Sequence, residues 1–238
     1  MELIVCKNYD ECSKVAANIF SEAIQNNPNI ILGLATGSSP IGTYKNLIKD
    51  YEEGKISFKN VKTYNLDEYV GISRDNEQSY YYFMNDNLFN HVDINKDNVH
   101  VPYAKEGAYN ESAKAYTEEL KKVSVDIQLL GIGANGHIGF NEPGTSFDQE
   151  TFIVTLTEKT REDNKRFINS IDEVPTHAIT MGIADIMRAK KIVLIACGKN
   201  KKDAVKALLS KEITTDFPAS ALHNHNDVVV IVDEEAYN

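Results

Sequence analysis

The sequence predicts an α/β fold built on a mainly parallel sheet with helices on both faces. Three observations carry this. Short apolar, β-branched runs alternate with longer segments of helical periodicity along the chain, the rhythm of βαβ units. Runs such as "KIVLIA" at 191–196 are apolar almost without interruption, as strands buried on both faces are. No low-complexity linker, repeat or charge block divides the chain, so residues 1–238 are expected to form one domain.

The elements follow in order. "LIVC" at 3–6 reads as a strand, and Asp10 as the N-cap of a helix carrying Val15, Ala16, Ile19, Phe20 and Ala23 at helical spacing. "NIILGLA" at 29–35 is the second strand and "IGTYKNLIKDY" the helix after it. "VKTYNL" at 61–66 is the third strand. "SYYYFMNDNLF" from Ser79 is a helix with an aromatic face, and "YNESAKAYTEELKKV" is another helix. "VDIQLLGIG" at 125–133, "TFIVTLT" at 151–157, "KIVLIACG" at 191–198 and "DVVVIV" at 227–232 complete the strands.

Composition narrows the function. The 238 residues are 42% hydrophobic, enough for a sizeable core, and carry a formal net charge of -10. That charge argues against nucleic acid, which calls for clustered Lys and Arg facing phosphates. A small anionic ligand would need a local positive site. Cys6, Cys12 and Cys197 form no CxxC pair and no metal-ligand spacing, and their odd count in a chain of this size fits a reducing compartment. "MELIVCKNYD" lacks the features of a signal peptide, and no apolar stretch approaches membrane-spanning length. A cytoplasmic protein with no membrane partner is expected.

In open α/β sheets ligands collect beyond the carboxyl ends of the strands, and four loops there carry chemistry. In "LATGSSP" (34–40), Thr36, Ser38 and Ser39 supply hydroxyls and Gly37 permits close backbone approach, just before a helix. A helix N-terminus is a ready anion site, though Ser38 or Ser39 could equally be a plain cap. In "YNLDEYVG" (64–71), Asp67 and Glu68 lie between tyrosines. A carboxylate desolvated beside aromatic rings is a plausible base, and a solvated turn is the alternative. In "GIGANGHIGFNEPG" (131–144), His137 and Glu142 stand in a glycine-rich loop. A histidine oriented by a carboxylate is the minimal general-base unit, and the spacing matches no zinc pattern. In "CGKNKKDAVKALL" (from Cys197), Lys199, Lys201 and Lys202 crowd a helix start, where the dipole disfavours cations unless an anion also sits there. Arg166 adds a cation on a helix predicted in "REDNKRFI". Together these imply cofactor-free and metal-free acid–base chemistry on a small phosphorylated molecule.

"LGLATGSSP", "VKTYNLDEYVG", "SYYYFMNDNLFNHVDI", "GIGANGHIGFNEPGTSF" and "THAITMGIADIM" together resemble the glucosamine-6-phosphate deaminase family over nearly the whole chain. The resemblance implies a modified Rossmann-like α/β fold and a reversible reaction. Glucosamine 6-phosphate and water would give fructose 6-phosphate and ammonium. It implies His137 as the ring-opening base, Glu142 as its supporting carboxylate and Asp67 as the base that moves a proton between C2 and C1. Thr36, Gly37, Ser38 and Ser39, with Arg166 and Lys201, would hold the phosphate, and Tyr80 would lie over the site. Many members have Asp where this chain has Asn135, which can orient His137 or a sugar hydroxyl without ionising. Allosteric hexameric members carry basic residues where this chain has Phe152 and Val154, and a longer C-terminus than the end after "VVVIVDEE". A monomer or small homo-oligomer without activation by an amino-sugar phosphate is therefore expected. The alternatives are a 6-phosphogluconolactonase-like hydrolase, which would need no C2 base, and a non-catalytic sugar-phosphate sensor.

Overall fold

The computed structural model describes residues 1–163 and 174–238. Seven parallel strands form the main sheet: β1 (Glu2–Cys6), β2 (Ile31–Leu34), β3 (Lys62–Asn65), β5 (Val99–His100), β6 (Ile127–Leu130), β9 (Lys191–Ala196) and β10 (Val228–Asp233). Their spatial order is β1-β10-β9-β6-β2-β3-β5. A second, three-stranded antiparallel sheet has the order β4-β8-β7, from β4 (Asp67–Tyr69), β7 (Phe152–Thr155) and β8 (His177–Thr180).

Eight helices accompany the strands among the described residues: α1 (Tyr9–Asn26), α2 (Ile41–Glu52), α3 (Tyr80–Asn87), α4 (Tyr109–Lys122), α5 (Glu158–Asp163), α6 (Ile183–Ile186), α7 (Lys202–Leu209) and α8 (Glu234–Tyr237). Alternate strand residues feed two cores. Val193, Ile195, Val229 and Ile231 pack with Phe20 of α1, Leu47 of α2 and Met84 of α3. Ile192, Leu194, Val228 and Val230 pack with Leu120 of α4, Leu208 of α7 and Ala236 of α8. The side-chain period of two along a strand thus covers both faces of the main sheet.

Three sequence expectations change. Asn8, rather than Asp10, caps α1, its Oδ1 accepting from Glu11 N at 3.0 Å. Asp10 lies in the first turn, where a carboxylate favours the helix dipole. "TFIVTLT" forms β7 outside the main sheet, pairing antiparallel with β8. Residues 67–69 form β4 where the sequence suggested a loop, because the chain leaves β3 and pairs at once with β8, with Asp67 opposite Thr180.

Chain order explains where a site can form. From β2 the chain steps to β3 and β5 on one side, then β6 lies on the other side of β2. The order therefore reverses between β2 and β6, and the loops leaving these two strands diverge to leave a crevice. Among the described residues, no helix is long and apolar enough to cross a membrane.

Candidate active site

A cleft of about 400 Å³ opens at this switch point. Its floor is the loop after β2, where Thr36, Gly37, Ser38 and Ser39 lead into α2. Pro40 is the N-cap of α2 and no side chain caps it, so the reading of Ser38 or Ser39 as a plain cap does not hold. The loop is instead locked from behind by Tyr9. Its hydroxyl lies 2.9 Å and 3.1 Å from the Ser38 and Ser39 carbonyls, and accepts from Gly42 N at 2.9 Å. A tyrosine thus satisfies an N–H of the first turn of α2, leaving the serine hydroxyls at the cleft.

Lys201 reaches the same cleft, while Lys199 and Lys202 are exposed and do not line it. Gly198 adopts φ 93 at the end of β9, and a short 3₁₀ turn, Lys199–Lys201, precedes α7. The turn directs Lys201 inward, where Nζ donates to the Ile132 carbonyl at 2.7 Å. Burial lowers the pKa of this ammonium, as loss of solvation disfavours a charge. An anion in the cleft would restore the balance.

The loop after β6 needs its glycines for close approach. A Cβ on Gly133 would fall 2.1 Å from atoms of the His137 ring, and one on Gly136 (φ +83) would collide with the Phe217 ring at 2.3 Å. The imidazole therefore lies directly on backbone. Asn135 Oδ1 stands 2.7 Å from His137 Nδ1 and accepts from the His137 backbone N–H at 3.2 Å. Asn135 Nδ2 donates to Glu142 Oε2 at 2.9 Å, while Glu142 Oε1 is 3.8 Å from His137 Nδ1. The amide is thus interposed between carboxylate and imidazole. An amide anchored by its N–H₂ on Glu142 presents its oxygen to the ring, which places the imidazole proton on Nδ1.

Asp67 lines the opposite wall and is only 7% exposed, which removes the solvated-turn alternative. Burial, reinforced by the charge of Glu68, pushes its pKa up to about 8. The two walls meet closely: a Cβ on Gly139 would sit 3.1 Å from Thr180 Oγ1 and 3.6 Å from Asp67 Oδ2. Tyr80 also lines the cleft. Its ring is parallel to Phe140 (centroids 6.2 Å, interplanar 5°) and tilted on Tyr69 at 4.9 Å.

Thr36, Gly37, Ser38, Ser39, Asp67, Tyr80, His137 and Lys201 therefore share one cleft, with Asn135 and Glu142 directly behind the imidazole. Arg166 lies outside the described residues. Sequence reasoning missed Gly139, Phe140 and Asn200, which also line the cleft, and the Tyr9 lock. Gly139 and Phe140 were visible in the glycine-rich run. Tyr9 carried no local signal, because its partners are about thirty residues away. A larger open cavity of about 750 Å³, lined by Gly71, Arg74, Tyr103 and Tyr109, holds none of the predicted acid–base groups.

A family model described as glucosamine-6-phosphate isomerases/6-phosphogluconolactonase matches residues 8–231. The glucosamine-6-phosphate deaminase of Thermoanaerobacter sp. (strain X514) is 53% identical over 237 residues, 99% of this chain and 94% of that protein. That of Clostridium perfringens (strain 13 / Type A) is 54% identical over 237 residues, covering 99% and 98%. The solved structure of a monomeric glucosamine-6-phosphate deaminase matches with a TM-score of 0.96 at 47% identity, covering 99% of this chain and 98% of that one. The 6-phosphogluconolactonase from Leishmania guyanensis, at 21% identity, TM-score 0.73 and coverage of 99% and 97%, shares the fold. With every described loop of the cleft inside the matched span, the chain belongs to the glucosamine-6-phosphate isomerase/6-phosphogluconolactonase family.

Proposed function

We propose that this chain is a glucosamine-6-phosphate deaminase, converting glucosamine 6-phosphate and water to fructose 6-phosphate and ammonium by acid–base chemistry of its own side chains. The observation that carries the reading is the division of one cleft into an anion end and a proton-transfer end. Lys201 and the hydroxyl loop before α2 form the first, and buried Asp67 with the backed imidazole of His137 forms the second. The high identity to deaminases from two genera supports it.

In this reading the phosphate sits at the Thr36–Ser39 loop, paired with Lys201, which fixes the far end of the sugar. His137 takes the proton of the anomeric hydroxyl and returns a proton to the ring oxygen, opening the ring. Asn135 holds the tautomer for this exchange, and Glu142 holds Asn135. Asp67 then accepts the proton from C2 and returns it at C1, turning the aldose amine into a ketose imine. Water adds to that imine and ammonia leaves. A carboxylate with its pKa near 8 is a far better acceptor for a carbon-bound proton than an ordinary aspartate. Lactone hydrolysis would have no use for such a base, which sets the 6-phosphogluconolactonase-like alternative aside.

The test measures ammonium and fructose 6-phosphate from glucosamine 6-phosphate with wild type and Asp67→Asn, and hydrolysis of 6-phosphogluconolactone alongside. Wild type releases ammonium, and the variant loses about 10²- to 10⁴-fold in kcat while still binding substrate. Lactone hydrolysis without ammonium release would make the protein a lactonase. Binding without either turnover would make it a sensor.

A further inference from the structure

Glu68 follows the proposed base directly and takes no part in the steps above, yet it is only 4% exposed. Successive residues of a strand point to opposite faces, so β4 sends Asp67 into the cleft and Glu68 toward α3. There the carboxylate meets three backbone donors. Oε1 accepts from Tyr69 N at 2.8 Å and Tyr80 N at 2.9 Å, and Oε2 accepts from Tyr81 N at 2.9 Å. Two of these belong to the first turn of α3, whose N-cap, Ser79, has its own hydroxyl engaged with Tyr82 N. Glu68 thus pins the start of α3 to β4, and with it the backbone of Tyr80, whose ring lines the cleft parallel to that of Phe140.

We propose that Glu68 is a positioning residue for this reaction: by holding the backbone N–H groups of Tyr80 and Tyr81 it pins the start of α3 and fixes Tyr80 beside the sugar. The inference rests on the deaminase reading. Burial raises the pKa of Glu68, and the three backbone N–H donors at the helix N-terminus oppose that rise by favouring the ionised form. Arg74 acts on Glu68 from the loop after β4, and Tyr116 of α4 feels Asp67 from behind. Thr180 of β8 pairs with Asp67 without titrating, and His137 and Lys201 line the same cleft. Besides burial, the charge of Glu68 raises Asp67, so a pH profile also reads this contact.

Charge and cap are separable by substitution. Glu68→Gln keeps the length and an acceptor oxygen but removes the charge. Glu68→Asp keeps the charge but shortens the reach to α3. Both are compared with wild type and Asp67→Asn as kcat and KM for ammonium release across about pH 5 to 9, with circular dichroism to verify folding. Glu68→Gln is expected to move the acidic limb of kcat/KM down by roughly one pH unit, the displacement one neighbouring charge produces. Glu68→Asp is expected to leave that limb in place and raise KM about tenfold, the cost of a lost hydrogen bond to a charged group. If both variants lose only thermal stability, with limb and KM at wild-type values, Glu68 is a plain helix cap and the proposal is overturned. Should Glu68→Gln not fold, an unchanged KM in Glu68→Asp overturns it alone. A wild type that releases no ammonium removes the deaminase reading itself, and the proposal with it; Asp67→Asn marks the floor of the assay.

Discussion

Asp67→Asn should stabilise the protein while cutting its turnover, and the stabilisation should grow with pH. Burial raises the folded-state pKa of Asp67 from 3.8 to about 8. Between these values the folded protein keeps a proton that the unfolded chain has released. The unfolded state therefore binds fewer protons, and stability falls as pH rises through this window. About four pKa units at 1.36 kcal/mol each give a cost on the order of 5 kcal/mol, complete only above the folded pKa. Asparagine is neutral throughout and escapes it. For a chain of this size 1 kcal/mol corresponds to about 2–4 °C in Tm, so the Tm gap between variant and wild type should widen by roughly 10 °C or more on going from pH 5 to pH 9. Thermal melts followed by circular dichroism at each pH measure it, and the many other titrating groups cancel between the two proteins. A gap that stays constant, or narrows as pH rises, would refute the assignment of Asp67 as a carboxyl whose pKa is raised by its burial.

Three further outcomes follow from the geometry. Asn135→Ala removes the oxygen 2.7 Å from His137 Nδ1, and should lower kcat/KM for ammonium release by roughly 10- to 150-fold, the worth of a hydrogen bond to a group that becomes charged, with a hexitol phosphate still bound. Lys201→Ala should act on KM more than on kcat, weakening glucosamine 6-phosphate by roughly 10- to 100-fold and flattening the dependence of KM on salt; an unchanged KM would move the phosphate elsewhere. Phe152 and Val154 lie in β7 and offer no charge to an anion, so substrate saturation should be hyperbolic and unaltered by N-acetylglucosamine 6-phosphate, whereas sigmoidal kinetics relieved by that compound would contradict it.

The main sheet was legible because its strands are buried on both faces, and such runs as "KIVLIA" leave little choice of element. The hydroxyl-rich and histidine loops of the cleft were legible because glycine and hydroxyl residues cluster after those strands. What escaped was decided at long range. β4 is three residues long and pairs with a strand more than one hundred residues away, so "DEY" carries no pattern of its own. The same pairing turns Asp67 from a surface carboxylate into a buried one, and no local rule announces that. Asn8 took the cap expected of Asp10 because β1 ends at Cys6 and the helix starts earlier than its apolar spacing implied. Of the three lysines after Cys197, only the backbone turn at Gly198 selects Lys201.

The central claim is that a hexose phosphate lies across this cleft with its phosphate at α2 and its first two carbons at Asp67. A crystal structure with bound 2-amino-2-deoxyglucitol 6-phosphate tests it most directly. The account predicts phosphate oxygens within hydrogen-bond reach of Ser38, Ser39 and Lys201 Nζ, and C1 and C2 about 3–3.5 Å from the Asp67 carboxylate. A ligand seated in the Arg74–Tyr103 cavity, or one whose phosphate points toward Asp67, would contradict it.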